Sequence, residues 1–503
     1  LRWLIFLFPF LIFGTDLDDR LASMSLNEKI GQLFVAPVCP TRGEDHFKDW
    51  QELMAKYHVG NVILKHSDPS SQIQFLNRLQ LSSKIPLLVM ADAEWGLSMR
   101  MSDVIAFPKN MTLGAIDDLN LIYRLGLEIG RQAKLVGVHM NLAPVADVNR
   151  NPENPVIHMR SFGEDPIKVA RCVNAYARGL QDAGVMACAK HFPGHGDTSV
   201  DSHLDLPVLN HTLERLKTVE WTPFKSGVDG GISALMTAHL DIPTIDPLLP
   251  SSLSPRCTAF MRQYLGFDGL IVTDALNMKA LSDRYSLEEI ALLAQEAGAE
   301  LLLYGAHIDE RVDELIHSTI PKAIEALKNG YATGRLDIRE LDKTVLKILR
   351  AKENIEPIVS LDGVNSLQTD DAVELKKELF SRAVTLIGKS VFPIGENVGY
   401  LSFGSGDVLA SAFSEVGAHE KIVIAVHQKQ ALTEEVIAKI NSLSDRAILC
   451  LFTTPYALTH FKNFQTILIA YENDVEAQAA VFRVLKGEKQ AKGHLPVTVD
   501  GVP

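Results

Sequence analysis

Short apolar runs alternate with longer amphipathic stretches from Leu17 to about Leu349. Eight runs read as strands: 32–37, 61–64, 86–91, 138–144, 185–189, 234–238, 270–273 and 300–304. Between them, segments such as DLNLIYRLGLEIGRQAKLVG, DPIKVARCVNAYARGLQDAG and SLEEIALLAQEAGA repeat apolar residues at three- and four-residue spacing and finish near a glycine. That pattern predicts helices. Eight strand-helix repeats predict a (β/α)8 TIM-like barrel, with insertions, over residues 17–355, and fit it better than an open sheet.

The pattern breaks after the charged amphipathic stretch GRLDIRELDKTVLKILRAKENI, because SLDGVNSLQTDDA carries no sustained apolar period. A linker is expected at 356–374. Beyond it AVTLIG, NVGYLSF, KIVIAVH, RAILCLF and TILIAY are β-rich runs separated by helix-like segments such as EAQAAVFRVLKG. They predict a smaller C-terminal α/β domain over 375–503 with a mainly parallel sheet.

Composition then narrows the chemistry. The chain has 503 residues, 47% hydrophobic and 22% charged, which suits two globular domains. Lys and Arg total 49 against 62 Asp and Glu, a net charge of −13, which argues against a general grip on nucleic acid or anionic lipid and leaves a neutral ligand compatible. The five cysteines, Cys39, Cys172, Cys188, Cys257 and Cys450, are scattered, so neither a zinc ribbon nor a disulfide framework is indicated and all five are expected in the core. The opening LRWLIFLFPFLIFG, with Arg2 ahead of an uncharged run, reads as a signal peptide within residues 1–16, or else as a short anchor or a helix packed on the protein. An exported, periplasmic or envelope-associated protein is therefore expected, with a cytoplasmic one as the alternative. No other stretch suggests an integral membrane span, and the oligomeric state is not readable.

In a barrel of this type the site lies at the C-terminal ends of the strands. Asp92, Asp147, Lys190 with His191, His239 and Asp274 follow runs three to seven in turn. The densest polar cluster is KHFPGHGDTSVDSH, Lys190 to His203. A glycine-bearing loop after a strand with this content is built for a site. His191, His195 and His203 with an Asp could supply metal ligands, although the spacing suits no standard zinc motif and Lys190 would be repelled by a cation. The histidines could also simply fasten a long loop. Asp201 and His203 are two residues apart, so in an extended loop the carboxylate can accept from the imidazole and raise its pKa toward values useful for proton donation. Asp205 fits a solvated loop residue. In LIVTDALNMKAL an apolar strand delivers Asp274 to the barrel mouth, where a carboxylate can act as nucleophile or base, or cap the next helix.

KHFPGHGDTSVDSH and LIVTDALNMKAL, together with MRSFGEDP and MTAHLDIP, resemble the motifs of glycoside hydrolase family 3, in its bacterial two-domain β-N-acetylglucosaminidase branch. The resemblance runs from about Ser25 to HLPVTV. It implies a nucleophile at Asp274, a proton donor in His203 oriented by Asp201, and sugar contacts from Asp92, Arg160, Lys190 and His191, with Arg100 lining the pocket. An ion pair from Arg160 to Glu164 or Asp165 is the competing reading of that arginine. The family's D-Q-E-G-G segment is DAEWG here: Asp92 and Glu94 survive, and Leu97 stands where an arginine is usual. Trp95 could stack on a sugar or pack under a loop.

The implied activity is a retaining exo-hydrolase of the EC 3.2.1.52 type, removing terminal β-linked N-acetylglucosamine from peptidoglycan fragments, with a carbohydrate partner, no metal and no organic cofactor. Alternatives are a phosphorylase, because a deprotonated His is neutral and does not repel phosphate, a β-glucosidase of the family, and a non-catalytic wall-sugar binding protein.

Overall fold

The computed structural model describes residues 17–202, 204–305, 311–395, 398–412, 414–415 and 421–501. The signal-peptide expectation for residues 1–16 lies outside them, as does His203. Eight parallel strands form the first sheet: β1 (Phe34–Val38), β2 (Asn61–Leu64), β3 (Leu88–Ala91), β4 (Met140–Asn141), β5 (Met186–Phe192), β6 (Ala234–Thr237), β7 (Leu270–Thr273) and β8 (Leu302–Leu303). Their order is β7-β6-β5-β4-β3-β2-β1-β8, and a parallel bridge between Val272 and Leu301 brings its two ends together, so the sheet is a nearly closed barrel.

The strands read as unbroken apolar runs because both faces are covered, by the barrel interior on one side and helices on the other. β1, β2, β3, β6 and β7 are buried at every position. The helices Leu119–Leu135 and Pro166–Asp182 approach so closely that a Cβ at Gly126 would lie 2.2 Å from the Tyr176 carbonyl oxygen. Only glycine fits there.

Only β2 and β7 coincide with the expected runs, and at three of the strands that differ the cause is local. β1 starts at Phe34 because Gln32 ends the Leu26–Gly31 helix, its N–H donating back to Lys29 and Ile30 carbonyls. β4 stops at Asn141, ahead of Pro144, which has no N–H to give to a ladder. β5 runs on to Phe192, past a register irregularity between Ala189 and Phe192. Lys190 and His191, joined by a cis peptide, thus belong to the strand itself.

The second sheet contains β9 (Thr385–Gly388), β10 (Val398–Phe403), β11 (Ser414–Glu415), β12 (Lys421–Val426), β13 (Ala447–Leu451) and β14 (Thr466–Ile469), in the order β11-β10-β12-β13-β14-β9. Every pairing is parallel except β9 with β14 at one edge. The two-residue β11 was not expected, being too short to carry a period. This sheet has a core of its own, built on Phe380, Val423, Cys450, Phe452, Leu468 and Val481. All five cysteines are buried and unpaired with one another. Among the described residues no helix is long and apolar enough to cross a membrane.

Candidate functional site

The mouth of the barrel holds a chain of buried ion pairs. Lys190 Nζ on β5 lies 2.7 Å from Asp92 Oδ1 and 2.9 Å from Glu94 Oε1, both just past β3. Arg100 Nη2 donates to Asp92 Oδ2 at 2.8 Å. Arg160 forks onto Glu94, Nε to Oε2 at 3.0 Å and Nη2 to Oε1 at 2.6 Å. The Glu164 or Asp165 pairing considered for Arg160 is not made: Asp165 accepts from Ile167 N–H at the start of a helix, and Glu164 accepts from the Thr498 hydroxyl. Burial by itself would raise the Glu94 carboxyl, but Arg160 and Lys190 outweigh it and hold the group well below the usual carboxylate range. Burial likewise opposes the Lys190 charge, and Asp92 and Glu94 reverse that, so the ammonium persists.

His191 continues the chain. Its Nδ1 lies 2.7 Å from Asp147 Oδ2, and Arg160 Nη2 lies 3.4 Å from its Nε2. An Nδ1–H donated to Asp147 leaves Nε2 as an acceptor toward Arg160 and the cleft. Asp147 is fully buried and also accepts from His195 N–H at 2.7 Å. It acts from behind the cleft, orienting His191.

Asp274 stands at the end of β7, half-buried, with its N–H donating to Thr237 O of β6 at 2.9 Å and its Oδ1 accepting from Ala275 N–H at 2.8 Å. It does not cap a helix, since the next one starts at Lys279 with Met278 in the cap position. Behind it the buried His239 places Nε2 3.0 Å from Ala275 O and Nδ1 2.7 Å from Ser252 Oγ, which pins the turn. One cleft is lined by Asp92, Arg160, Lys190 and His191 together with Asp274, and is closed by apolar Met236 and Met278.

His195 fastens the loop after β5. Its Nδ1 lies 2.8 Å from Thr198 Oγ1 and its Nε2 3.1 Å from Ser202 Oγ, while the Thr198 hydroxyl donates to His195 O at 3.0 Å. Burial pulls its pKa down to about 4, so the ring is neutral. Asp197, at the foot of the loop, meets His211 Nε2 at 2.9 Å and Arg215 Nη2 at 3.5 Å. Asp201 is half-buried, and its carbonyl accepts from Leu204 and Asp205 N–H at 2.9 and 3.0 Å.

Trp95 does not line the cleft; its ring carries Lys109 Nζ at 5.2 Å. Among the described residues, the groups spaced to hold a metal are Asp49, Asp313 and His317, and Asp197, His211 and Glu220. Neither includes a cleft residue, and Arg215 already sits on the second. The sequence reading noted Glu94 without a role, and it named neither His211 nor Arg215, although HTLER does place them four residues apart.

A parallel barrel with carboxylates and cations converging at the strand ends, followed by a smaller α/β domain, defines a class of two-domain barrel enzymes that act on polar ligands. Residues 25–351 match the glycosyl hydrolase family 3 N terminal domain, and the chain belongs to that family. A family 3 β-N-acetylglucosaminidase structure from Paenibacillus sp. str. FPU-7 is 31% identical with a TM-score of 0.83, covering 95% of this chain and 99% of that one. Beta-hexosaminidase A of Pseudoalteromonas piscicida is 30% identical over 69% of this chain and 62% of its own length. Beta-hexosaminidase LpqI of Mycobacterium tuberculosis is 30% identical over 66% of this chain and 84% of its own.

Proposed function

We propose that this family 3 glycoside hydrolase is a retaining β-N-acetylhexosaminidase that removes terminal β-linked N-acetylglucosamine, with peptidoglycan fragments outside the cytoplasm as its natural source. One observation carries the reading: Asp274 opens onto the same cleft as Asp92, Arg160, Lys190 and His191. A carboxylate facing a set of paired donors and acceptors suits attack on a sugar held by its hydroxyls. The names of the relatives, beta-hexosaminidases and a β-N-acetylglucosaminidase, support that sugar class.

In the first step Asp274 attacks the anomeric carbon as the bond to the leaving oxygen breaks, and protonated His203 donates to that oxygen. In the second, water attacks the same carbon, neutral His203 takes its proton, and the Asp274 ester bond breaks. Two inversions give retention. In this reading the role of Asp201 is to orient His203 and favour the imidazolium. Asp92, Lys190, His191 and Arg160 grip the sugar, and Arg100 holds Asp92 in place. Neither step calls for a cofactor.

The test is turnover of nitrophenyl β-N-acetylglucosaminide against nitrophenyl β-glucoside. Preference for the first supports the proposal, and turnover of neither favours a binding protein. Phosphate in the same assay reads the acceptor, because a sugar 1-phosphate product would mark a phosphorylase.

A further inference from the structure

The second domain meets the barrel along the loop that carries Arg160, and the contacts form one path. Glu472, just past β14, accepts at Oε1 from Lys109 N–H at 2.8 Å and from the Thr112 hydroxyl at 2.5 Å. Both donors sit at the start of the Asn110–Gly114 helix, whose cap residue Lys109 supplies no side-chain bond of its own. The first turn of a helix leaves N–H groups without partners, and here the missing acceptor comes from the other domain.

The helix hands this restraint to the cleft. Asn110, 2% exposed, donates from Nδ2 to Arg160 O at 2.7 Å. A Cβ at Gly114 would lie 1.8 Å from Phe162 O, so helix and loop are in direct backbone contact. On the other side Glu164 N–H donates to Pro496 O at 3.0 Å. A Cβ at Gly163, which has φ +135°, would lie 2.3 Å from that same oxygen. The Arg160–Glu164 loop is thus held between one barrel helix and the tail of the second domain.

We propose that Glu472 is a positioning residue for Arg160, acting through the Asn110–Gly114 helix, so that the second domain sets the sugar-binding geometry of the barrel without touching the sugar. The proposal rests on the reading of Arg160 as a sugar contact. Arg160 has to satisfy Glu94 at 2.6 Å while keeping its place 3.4 Å from His191, and a shift of about 1 Å in its backbone would disturb both.

The experiment uses the full chain and nitrophenyl β-N-acetylglucosaminide. Glu472→Ala is expected to lower kcat/KM roughly 10- to 100-fold, the scale of such a misplacement. Glu472→Gln, whose amide oxygen can accept from the same two donors, is expected to stay within about twofold of wild type, which a requirement for charge would not allow. Asn110→Leu cuts the path on the barrel side, leaves the seam between the domains intact, and should reproduce the loss; it also carries the test if Glu472→Ala fails to fold. The double variant Glu472→Ala/Arg160→Ala should be no worse than Arg160→Ala, because the two act as one unit. Wild-type kcat/KM in Asn110→Leu, or losses that multiply in the double variant, would overturn the proposal while Arg160→Ala alone still lowers kcat/KM. An Arg160→Ala variant with wild-type kcat/KM would instead remove the sugar-contact reading, and this proposal with it.

Discussion

The ion-paired wall of the cleft and the loop that follows β5 differ in how they are held. Asp92, Glu94, Lys190 and Arg160 satisfy one another at 2.6 to 3.0 Å, with Lys190 2% and Glu94 2% exposed. The loop is tied through His195 to Thr198 and to the buried Ser202, and through Asp197 to His211 and Arg215, while Val200 and Leu204 are 39% and 67% exposed. The difference separates two tasks. Groups that grip a ligand gain from being fixed before it arrives, since no reorganisation is then needed. Groups that give and take a proton must meet a leaving oxygen and then a water, and Asp201 is half-buried on a loop whose Val200 and Leu204 are exposed.

The largest effect is expected at Asp274, which belongs to neither region. Asp274→Asn should lower turnover of every substrate on the order of 10⁴- to 10⁶-fold, as removal of a covalent nucleophile does, whatever the leaving group. Retained turnover of a nitrophenyl glycoside would return this carboxylate to a structural role.

His203→Ala should instead depend on the leaving group. An alkyl or sugar aglycone should lose roughly 10²- to 10⁴-fold, the usual range for a missing general acid. A nitrophenolate departs unaided, so its glycosylation step should survive, the glycosyl-enzyme should accumulate, and azide should restore rate. Asp201→Ala should give a milder form of the same pattern. Equal losses for all leaving groups, without azide rescue, would take the loop out of proton transfer.

The wall is expected to show its role in stability. Glu94→Ala leaves Lys190 and Arg160 short of an anion in a buried site and should cost about 3–5 kcal/mol in chemical unfolding, as broken buried pairs do. A cost near zero would mean that water replaces the carboxylate and that the wall is less enclosed than its geometry shows.

The smallest effect distinguishes the two regions by acid. Burial holds His195 at about 4, below the ordinary 6.5, so the unfolded loop takes up a proton first. Stability from a neutral His195 is present above 6.5 and is lost as pH falls toward 4. Glu94 and Asp147 are depressed carboxylates, whose contribution is lost only below their ordinary values of 4.5 and 3.8. Amides of Leu204 and Asp205, which donate to Asp201 O, should therefore lose hydrogen-exchange protection between pH 6.5 and 4.5, while those of β3 and β5 keep theirs. Simultaneous loss would show that loop and wall open as one unit.

The barrel was legible because its strands are buried on both faces and therefore stand out as apolar runs; the eight runs all overlap observed strands. The residues of the cleft were legible because a barrel displays its polar strand ends together: Asp92, Lys190, His191 and Asp274 each follow from strand position alone. Their pairing was not. Arg160 and Glu94 are 66 positions apart, and nothing in the local sequence separates that partner from Glu164, four residues away. Glu472 and Thr112 are 360 positions apart in different domains, beyond the reach of any periodicity. The sequence left Trp95 open between sugar stacking and packing under a loop; its ring packs with Lys109, where the chain turns back at Phe107, whose N–H donates to Trp95 O at 3.0 Å.

The covalent step is the centre of this account, and trapping tests it most directly. A fluorinated N-acetylglucosaminyl fluoride, which forms the glycosyl-enzyme but slows its hydrolysis, should inactivate the protein with one sugar per chain, and peptide mapping should place the label on Asp274. A label on Asp92 or Asp147, or complete turnover with inversion and no labelled peptide, would contradict it.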